Sequence, residues 1–183
     1  MLRSRGIGGT EAPRLEVSRM RRRHLRGVMA IERQVYARPW SPNLFAAEMT
    51  EPENRCYLVA RLHKEVIGYA GMICYGDEAH VTNVAVDPQH QRHGIATRLM
   101  YEELRQAKEM GAHAVSLEVR VTNWGAQRLY AWFGFHPVGI RRNYYQELSE
   151  DALIMWTDDV RSEPFARRLE RIADAMPAVA RPT

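Results

Sequence analysis

Apolar residues in the first third of the chain recur at spacings that predict one short strand and two helices. The strand is predicted at Leu15 to Val17, and the first helix covers Arg21 to Tyr36. Pro39 and the residues after it end that helix, and Ser41 can cap a second helix that runs through Met49. The apolar positions that share one face of the first helix are Leu25, Val28, Met29, Ile31 and Val35.

Alternating apolar runs predict strands in the middle of the chain. Two antiparallel strands, Tyr57 to Leu62 and Val66 to Tyr75, flank a short polar turn. A third strand runs from His80 to Val86 and is stopped by Asp87-Pro88. The three together predict an antiparallel meander.

Helical and strand periods alternate in the second half. A long helix is predicted over Gly94 to Met110, with Gly111 as its C-terminal cap. The strand Ala114 to Arg120 alternates without exception, so that Ser116, Glu118 and Arg120 share its polar face. The elements predicted after it are a helix over Asn123 to Phe133 that ends at Gly134, and strands over Val138 to Tyr144 and Ala152 to Thr157.

This order of elements predicts an α/β fold in one domain. The sheet is mixed and mostly antiparallel, with helices on both faces. We assign 1–13 to a flexible N-terminal tail, 14–158 to the folded domain, and 159–183 to a partly helical C-terminal extension. A weak helical pattern at Phe165, Leu169 and Ile172 supports the last assignment.

Composition indicates a globular protein of the cytoplasm. Apolar residues make up 45% and charged residues 26% of the 183 residues, a balance that supports a packed core. No apolar run approaches the roughly 18 residues of a membrane span, and the Arg/Gly-rich start lacks the apolar centre of a signal peptide. Cys56 and Cys74 are expected to be buried thiols.

One turn has the features of a phosphate site. Gln91 to Ala96 joins an apolar strand to the long helix, and a helix N-terminus offers unpaired N–H donors and a partial positive charge. Gly94 and Ala96 are small enough for phosphate oxygens to reach the backbone, and Arg92 adds a fixed charge. The alternative is that Gly94 only starts a helix.

In this context the sequence resembles the GNAT acetyltransferases, whose Q/R-x-x-G-x-G/A signature follows the fourth strand. The resemblance covers about Leu15 to Trp156 and implies the GNAT fold, with splayed central strands and acetyl-CoA as cosubstrate. It implies that Val84, Ala85 and Val86 face the pantetheine arm. It also implies that the residues at the CoA pyrophosphate are Arg92, His93, Gly94, Ile95, Ala96 and Thr97.

Two residues are candidates for the chemistry that this resemblance implies. Glu118, on the polar strand face, is the candidate base for an attacking amine; the alternative is a surface glutamate paired with Arg120 or Arg141. Tyr130, in the next helix, is the candidate acid; the alternative is an aromatic packing residue.

A closer resemblance is to the RimI-type ribosomal-protein-alanine N-acetyltransferases. It rests on Leu117-Glu118-Val119-Arg120, on Ile140 to Tyr145 and on Pro39-Trp40-Ser41. It implies that Glu118 accepts the amine proton, that Tyr130 donates to the CoA sulfur and that Asn123 contacts the cofactor. The implied acceptor is the N-terminal alanine of the eighteenth small-subunit ribosomal protein. The chain departs from the pattern in its Arg-rich first helical turn, in Gly125 and in both tails.

Several alternatives stay open at this point. The alternative acceptors are a broader set of protein N-termini, a lysine or a small-molecule amine. A protein of a different class is a silent GNAT fold that only binds CoA. Tyr144 and Tyr145 either line the acceptor groove or pack in a strand. The seven histidines show no ligand spacing, so no metal is expected. We expect no membrane or direct nucleic-acid partner, and a monomer or weak dimer.

Overall fold

The computed structural model describes residues 15–176, so the tail predicted at 1–13 and the last residues of the predicted extension lie outside it. Its strands are β1 (Leu15–Arg19), β2 (Arg55–Leu62), β3 (Glu65–Tyr75), β4 (Glu78–Val86), β5 (Ala114–Arg120), β6 (His136–Tyr145) and β7 (Glu150–Trp156). Its helices are α1 (Leu25–Val35), α2 (Pro42–Glu48), α3 (Ile95–Glu109), α4 (Trp124–Phe133) and α5 (Glu163–Ala175), with single 3-10 turns at Arg22–His24, Pro88–His90 and Gln146–Leu148.

The seven strands form one mixed sheet in the order β1-β2-β3-β4-β5-β7-β6. All neighbouring pairs are antiparallel except β4 and β5, which run parallel. Parallel neighbours need a crossover connection, and α3 supplies it here. The predicted mixed, mostly antiparallel α/β architecture is confirmed.

Helices cover both faces of this sheet, as predicted. Strand β2 divides its side chains between two cores: Cys56, Leu58 and Ala60 pack with α3 and α5, whereas Tyr57 and Val59 pack with α1 and α2. Both cysteines are buried free thiols. Within 15–176 no helix is long and apolar enough to cross a membrane.

The helix starts follow local capping chemistry. Ser41 Oγ accepts the N–H of Leu44 at 3.1 Å and Pro42 is the first residue of α2, as the sequence predicted. Helix α1 begins at Leu25, four residues later than predicted, because the chain first makes the 3-10 turn Arg22–His24. Arg21, Arg22 and Arg23 lie at the start of this turn, where their positive charges oppose the helix dipole.

Helix α5 packs into the main core of the domain. Ser162 caps its N-terminus, and Phe165, Leu169 and Ile172 are buried in the same cluster as the apolar side of α3. At the end of α4, Gly134 has φ 98°, and a Cβ built there would lie 1.9 Å from Nη1 of Arg168 on α5. Helix α5 is therefore seated closely against the end of α4.

A bulge in β4 sets the shape of the centre of the sheet. Gly71 of β3 pairs with Asn83 and Met72 pairs with Val81, so Thr82 has no partner across the ladder. A bulge bends its strand and increases the local twist. The pairing of β4 with β5 ends at Val81 and Leu117, just before the bulge, and the remainder of β4 leaves a gap beside β5.

Replacing Gly71 by alanine should destabilise the fold. A Cβ at this position would lie 2.2 Å from the ring of Tyr57 and 2.8 Å from Oδ1 of Asn83, and the antiparallel strands leave little room to relax. We expect Gly71→Ala to lower the free energy of unfolding by about 2 kcal/mol in urea denaturation.

The control is Gly125→Ala in the exposed first turn of α4, where a Cβ meets only Asn123 Oδ1 at 3.8 Å. It should stabilise by about 0.5 kcal/mol. Equal stability of wild type and Gly71→Ala would contradict the crowding.

Candidate active site

A groove of about 560 Å³ lies over the gap between β4 and β5, on the face of the sheet that carries α1 and α2. The segment after α1 forms one wall, and the end of β6 with the following 3-10 turn forms the other. The lining residues used below are Glu32, Tyr36, Trp40, His80, Val84, Glu118, Asn123, Tyr130, Tyr144 and Tyr145.

The edge of β4 turns its backbone groups into the gap at two positions. The carbonyl of Val84 accepts the Tyr36 hydroxyl at 3.3 Å, and the carbonyl of Val86 accepts Gln91 Nε2 at 3.2 Å. Asp87 N donates the other way, to Ile67 O on β3, at 2.9 Å. Backbone groups alternate in direction along an antiparallel strand, so the N–H groups of Val84 and Val86 also face the gap. The backbone N–H and C=O of Ala85, between them, point to β3, and the Ala85 side chain is buried against α1 and α2.

The turn after β4 presents the N-terminus of α3. Gly94 is the N-cap with φ 75°, and Arg92 has φ 66°. A Cβ at Gly94 meets nothing within 4 Å, so its glycine serves the left-handed backbone rather than a tight contact. The amides of the first turn, Ile95, Ala96 and Thr97, have no acceptor within the helix. His93 Nδ1 lies 3.3 Å from the carbonyl of His90. The turn is therefore built to receive an anion at its backbone.

Glu118 projects into the groove from the polar face of β5. Its side chain is 8% exposed; Oε2 lies 2.9 Å from His80 Nε2 and Oε1 lies 3.0 Å from Arg141 Nη1. Burial alone would raise the pKa of Glu118, but the hydrogen bond and charge of His80 and the charge of Arg141 outweigh it and hold the pKa below its usual range. The predicted pair with Arg141 is thus present, while Arg120 lies 3.9 Å from Glu150.

Tyr130 reaches the groove from the opposite side of the sheet. Tyr130 lies on α4, whose Phe133 packs into the core shared with α3. The centroid of the Tyr130 ring lies 5.9 Å from that of the Phe135 ring. Tyr130 nevertheless lines the groove. Burial, with a smaller effect from nearby Tyr145, raises the pKa of Tyr130 well above its usual range, so its hydroxyl keeps its proton at neutral pH. The residue therefore both packs in the core and lines the groove with its proton in place.

The geometry of gap, turn and paired groups agrees with a sequence comparison. The sequence model of the acetyltransferase (GNAT) family matches residues 25–135, a range that contains the gap between β4 and β5, the turn before α3, Glu118 and Tyr130. The chain belongs to the GNAT acetyltransferase family.

Relatives within the GNAT family are similar over most of the chain. The N-alpha-acetyltransferase RimI of Mycobacterium tuberculosis (strain H37Rv) is 40% identical over 124 residues, 66% of this chain and 76% of the relative. The ribosomal protein bS18-alanine N-acetyltransferase of Escherichia coli (strain K12) is 36% identical over 129 residues, 68% of this chain and 84% of the relative. The crystal structure of the ribosomal-protein-S18-alanine N-acetyltransferase from Escherichia coli superposes with a TM-score of 0.72 at 31% identity, covering 81% of this chain and 97% of that one.

Asn123 has a structural role in this GNAT domain. Its side-chain oxygen accepts the N–H of Ala126 at 3.1 Å, which makes it the N-cap of α4. The residue also lines the groove, but that oxygen is committed to the helix. Its implied contact with the cofactor stays a prediction.

Tyr144 and Tyr145 both line the groove, one of the two alternatives that the sequence left open. The Tyr145 hydroxyl donates to the backbone carbonyl of Glu118 at 3.4 Å, and burial, helped by Tyr144 and Glu118, raises the pKa of Tyr145 to about 12. The two rings meet edge to face at 5.1 Å, and Arg141 lies over the Tyr144 ring at 5.5 Å. These contacts hold the end of β6, which forms the second wall of the groove, beside Glu118.

The sequence did not reveal the residues of the wall that the segment after α1 forms. Glu32 is 1% exposed; it accepts the backbone N–H of Trp40 at 2.9 Å and the hydroxyl of Tyr69, and burial raises its pKa. It thereby fixes the segment between α1 and α2 that carries Tyr36. A glutamate on the apolar face of α1, four residues after Val28, was the available indication of this role.

Proposed function

We propose that this protein transfers the acetyl group of acetyl-CoA to the N-terminal α-amine of a protein, with the N-terminal alanine of ribosomal protein bS18 as its acceptor. The observation that carries the proposal is that Glu118 and Tyr130 line the same groove and reach it from opposite faces of the sheet. The acceptor is supported by the Escherichia coli relative, whose name states that activity. An acceptor on the ribosome also suits an enzyme of the cytoplasm.

The open edge of β4 suits the pantetheine arm of the cosubstrate. An extended amide chain can add to a strand edge through main-chain hydrogen bonds, and the Val84 and Val86 N–H groups face the gap for that purpose. An N–H of this edge that is not bonded to the arm is available to the thioester oxygen as negative charge develops on it. Where the strand ends, the turn from Arg92 to Thr97 offers the α3 amides to the pyrophosphate.

Glu118 is suited to receive the proton of the attacking amine. An α-amino group has a reference pKa of about 7.7–8.0, so much of it is protonated at neutral pH. Glu118 stays ionised because its pKa is lowered, and it can take one proton from the ammonium, directly or through a water, before the free amine attacks the thioester. Acetyl transfer then proceeds by direct attack, without an acetyl-enzyme.

Tyr130 is suited to protonate the leaving thiolate. Its hydroxyl keeps its proton because burial raises its pKa, and the CoA thiolate gains charge as the C–S bond breaks. The attacking nitrogen loses a second proton as the amide forms, and this proton restores Tyr130 by way of solvent. The proton that Glu118 took from the ammonium is released to solvent, so the enzyme regains its starting state. The monomeric or weakly dimeric state remains a prediction.

The acceptor is tested with peptides that share one sequence and differ at one end. We expect acetyl-CoA turnover with a free N-terminal alanine, at least tenfold lower kcat/KM with a free N-terminal methionine, and none with a blocked N-terminus and an internal lysine. CoA release and mass spectrometry of the product measure this. Transfer to the blocked lysine peptide would keep the cosubstrate and overturn the acceptor.

Glu118→Gln should lower kcat/KM by about 100-fold at pH 7, since the amide cannot accept a proton. The loss should shrink as pH rises through the amine pKa, because a growing share of the acceptor then needs no base. Glu16→Gln is the control: Glu16 pairs with Arg61 at 2.6 Å on the far edge of the sheet. A pH–rate profile equal to that of wild type would remove Glu118 from the reaction.

Tyr130→Phe should lower kcat by roughly 100-fold while the KM for acetyl-CoA changes little. The ring is kept, so the packing against Phe135 survives and only the proton donor is lost. Tyr75→Phe, at an exposed tyrosine 63% accessible at the end of β3, serves as the control. Unaltered turnover of Tyr130→Phe would show that the thiolate obtains its proton elsewhere.

A further inference from the structure

His80 is engaged through both nitrogens of its ring. Nε2 lies 2.9 Å from Oε2 of Glu118, and Nδ1 lies 2.9 Å from Oγ of Ser116. Ser116 Oγ also lies 3.5 Å from the carbonyl of Ala79. The three side chains form a line of hydrogen bonds that ends at the carboxylate.

The sheet itself places these three side chains together. His80 and Ser116 are register partners in the short parallel ladder of β4 and β5. Glu118 is the next residue of β5 on the same face, and the ladder ends between them at Leu117. The line therefore sits on two strands at the last point where they are still joined, which fixes the positions of its members relative to the gap.

The direction of the bond to Glu118 follows from the chemistry of the groups. An ionised carboxylate has only acceptors, so Nε2 must carry the hydrogen. Nδ1 then either accepts the Ser116 hydroxyl or, in the protonated ring, donates to Ser116 Oγ while the hydroxyl turns to Ala79. Both arrangements keep the same Nε2–H donor on Glu118.

We propose that His80 is a positioning residue for acetyl transfer, which holds Oε2 of Glu118 through Nε2–H while Ser116 fixes the orientation of its ring. The inference rests on the function proposed above and goes beyond it by assigning a second group to the base. Arg141 holds the other oxygen, Oε1, at 3.0 Å, so each oxygen has its own donor and the plane of the carboxylate is set.

His80 is the better placed of the two donors to fix that plane. Its side chain is 32% exposed and short, whereas Arg141 is 56% exposed at the end of a long chain. Long exposed side chains form weaker and more mobile ion pairs. Loss of His80 would leave Glu118 buried with only the mobile partner.

The charged and titratable side chains around Glu118 come from two elements. They are His80 on β4 and the β6 residues Arg141, Tyr144 and Tyr145. Burial of Glu118 opposes ionisation and His80 is the first of the groups that favour it. Removing His80 should therefore raise the pKa of the Glu118 carboxyl.

The experiment compares His80→Ala and His80→Gln with wild type in the full chain. His80→Ala should lower kcat about tenfold, because a carboxylate that loses one anchor is often misoriented, and leave the KM for acetyl-CoA unchanged. His80→Gln retains an N–H donor near the position of Nε2 and should restore most of the loss. The matched control is His113→Gln, which removes an exposed histidine that lies 3.6 Å from Asp159 outside the groove.

A second readout follows the carboxyl of Glu118 directly by NMR titration of its side-chain carbon, which needs no turnover. The expected result is a raised pKa in His80→Ala and a smaller rise in His80→Gln, which restores the hydrogen bond but not the charge. An unmoved titration in His80→Ala would overturn the inference, and so would a moved titration with unchanged kcat. If wild type acetylates no amine, the proposed function fails while the titration still tests the bond.

Discussion

The active groove depends on one constraint, the early end of the ladder between two parallel strands. Strands β4 and β5 stay paired only as far as Val81 and Leu117. The unpaired Thr82 bulge bends β4 at that point, and Gly71 leaves the space on β3 that the Tyr57 ring and the Asn83 side chain occupy. An unbroken ladder would satisfy the Val84 and Val86 backbone groups within the sheet and would separate Tyr130 from Glu118.

Burial acts to raise the pKa of three carboxyl groups of this domain, Glu118, Glu32 and Glu103, and the partners of each group decide the net result. Glu118 has two nitrogen partners and a lowered pKa. Glu32, with only a hydroxyl and a backbone N–H as donors, has a raised pKa. Glu103 is fully buried beside Cys56, and desolvation raises its pKa well above the usual value. A charged carboxylate is thus maintained at the groove, where the chemistry can use it.

The elements that could be predicted from sequence are those governed by local patterns. Strand β5 was predicted to the residue because its alternation is unbroken, and the Ser41 cap of α2 followed from two adjacent residues. The turn before α3 could be proposed as a phosphate site because its determinants are contiguous, and its ligand stays a prediction. The position of His80 beside Glu118 could not be predicted, since it depends on pairing with Ser116, 36 residues away in sequence. The bulge at Thr82 could not be predicted either, because one extra residue does not change the composition of a strand.

The seating of α5 has a consequence for the boundaries of the enzyme. The family match ends at residue 135, yet α4, which carries Tyr130, lies against a helix that starts almost thirty residues later. The apolar side of α5 shares a core with Phe133 and Phe135, and Arg168 sits at the end of α4 beside Gly134. Tyr130, the proposed proton donor, is therefore anchored in part by sequence beyond the end of the family match, so a change in α5 could alter turnover without touching the groove.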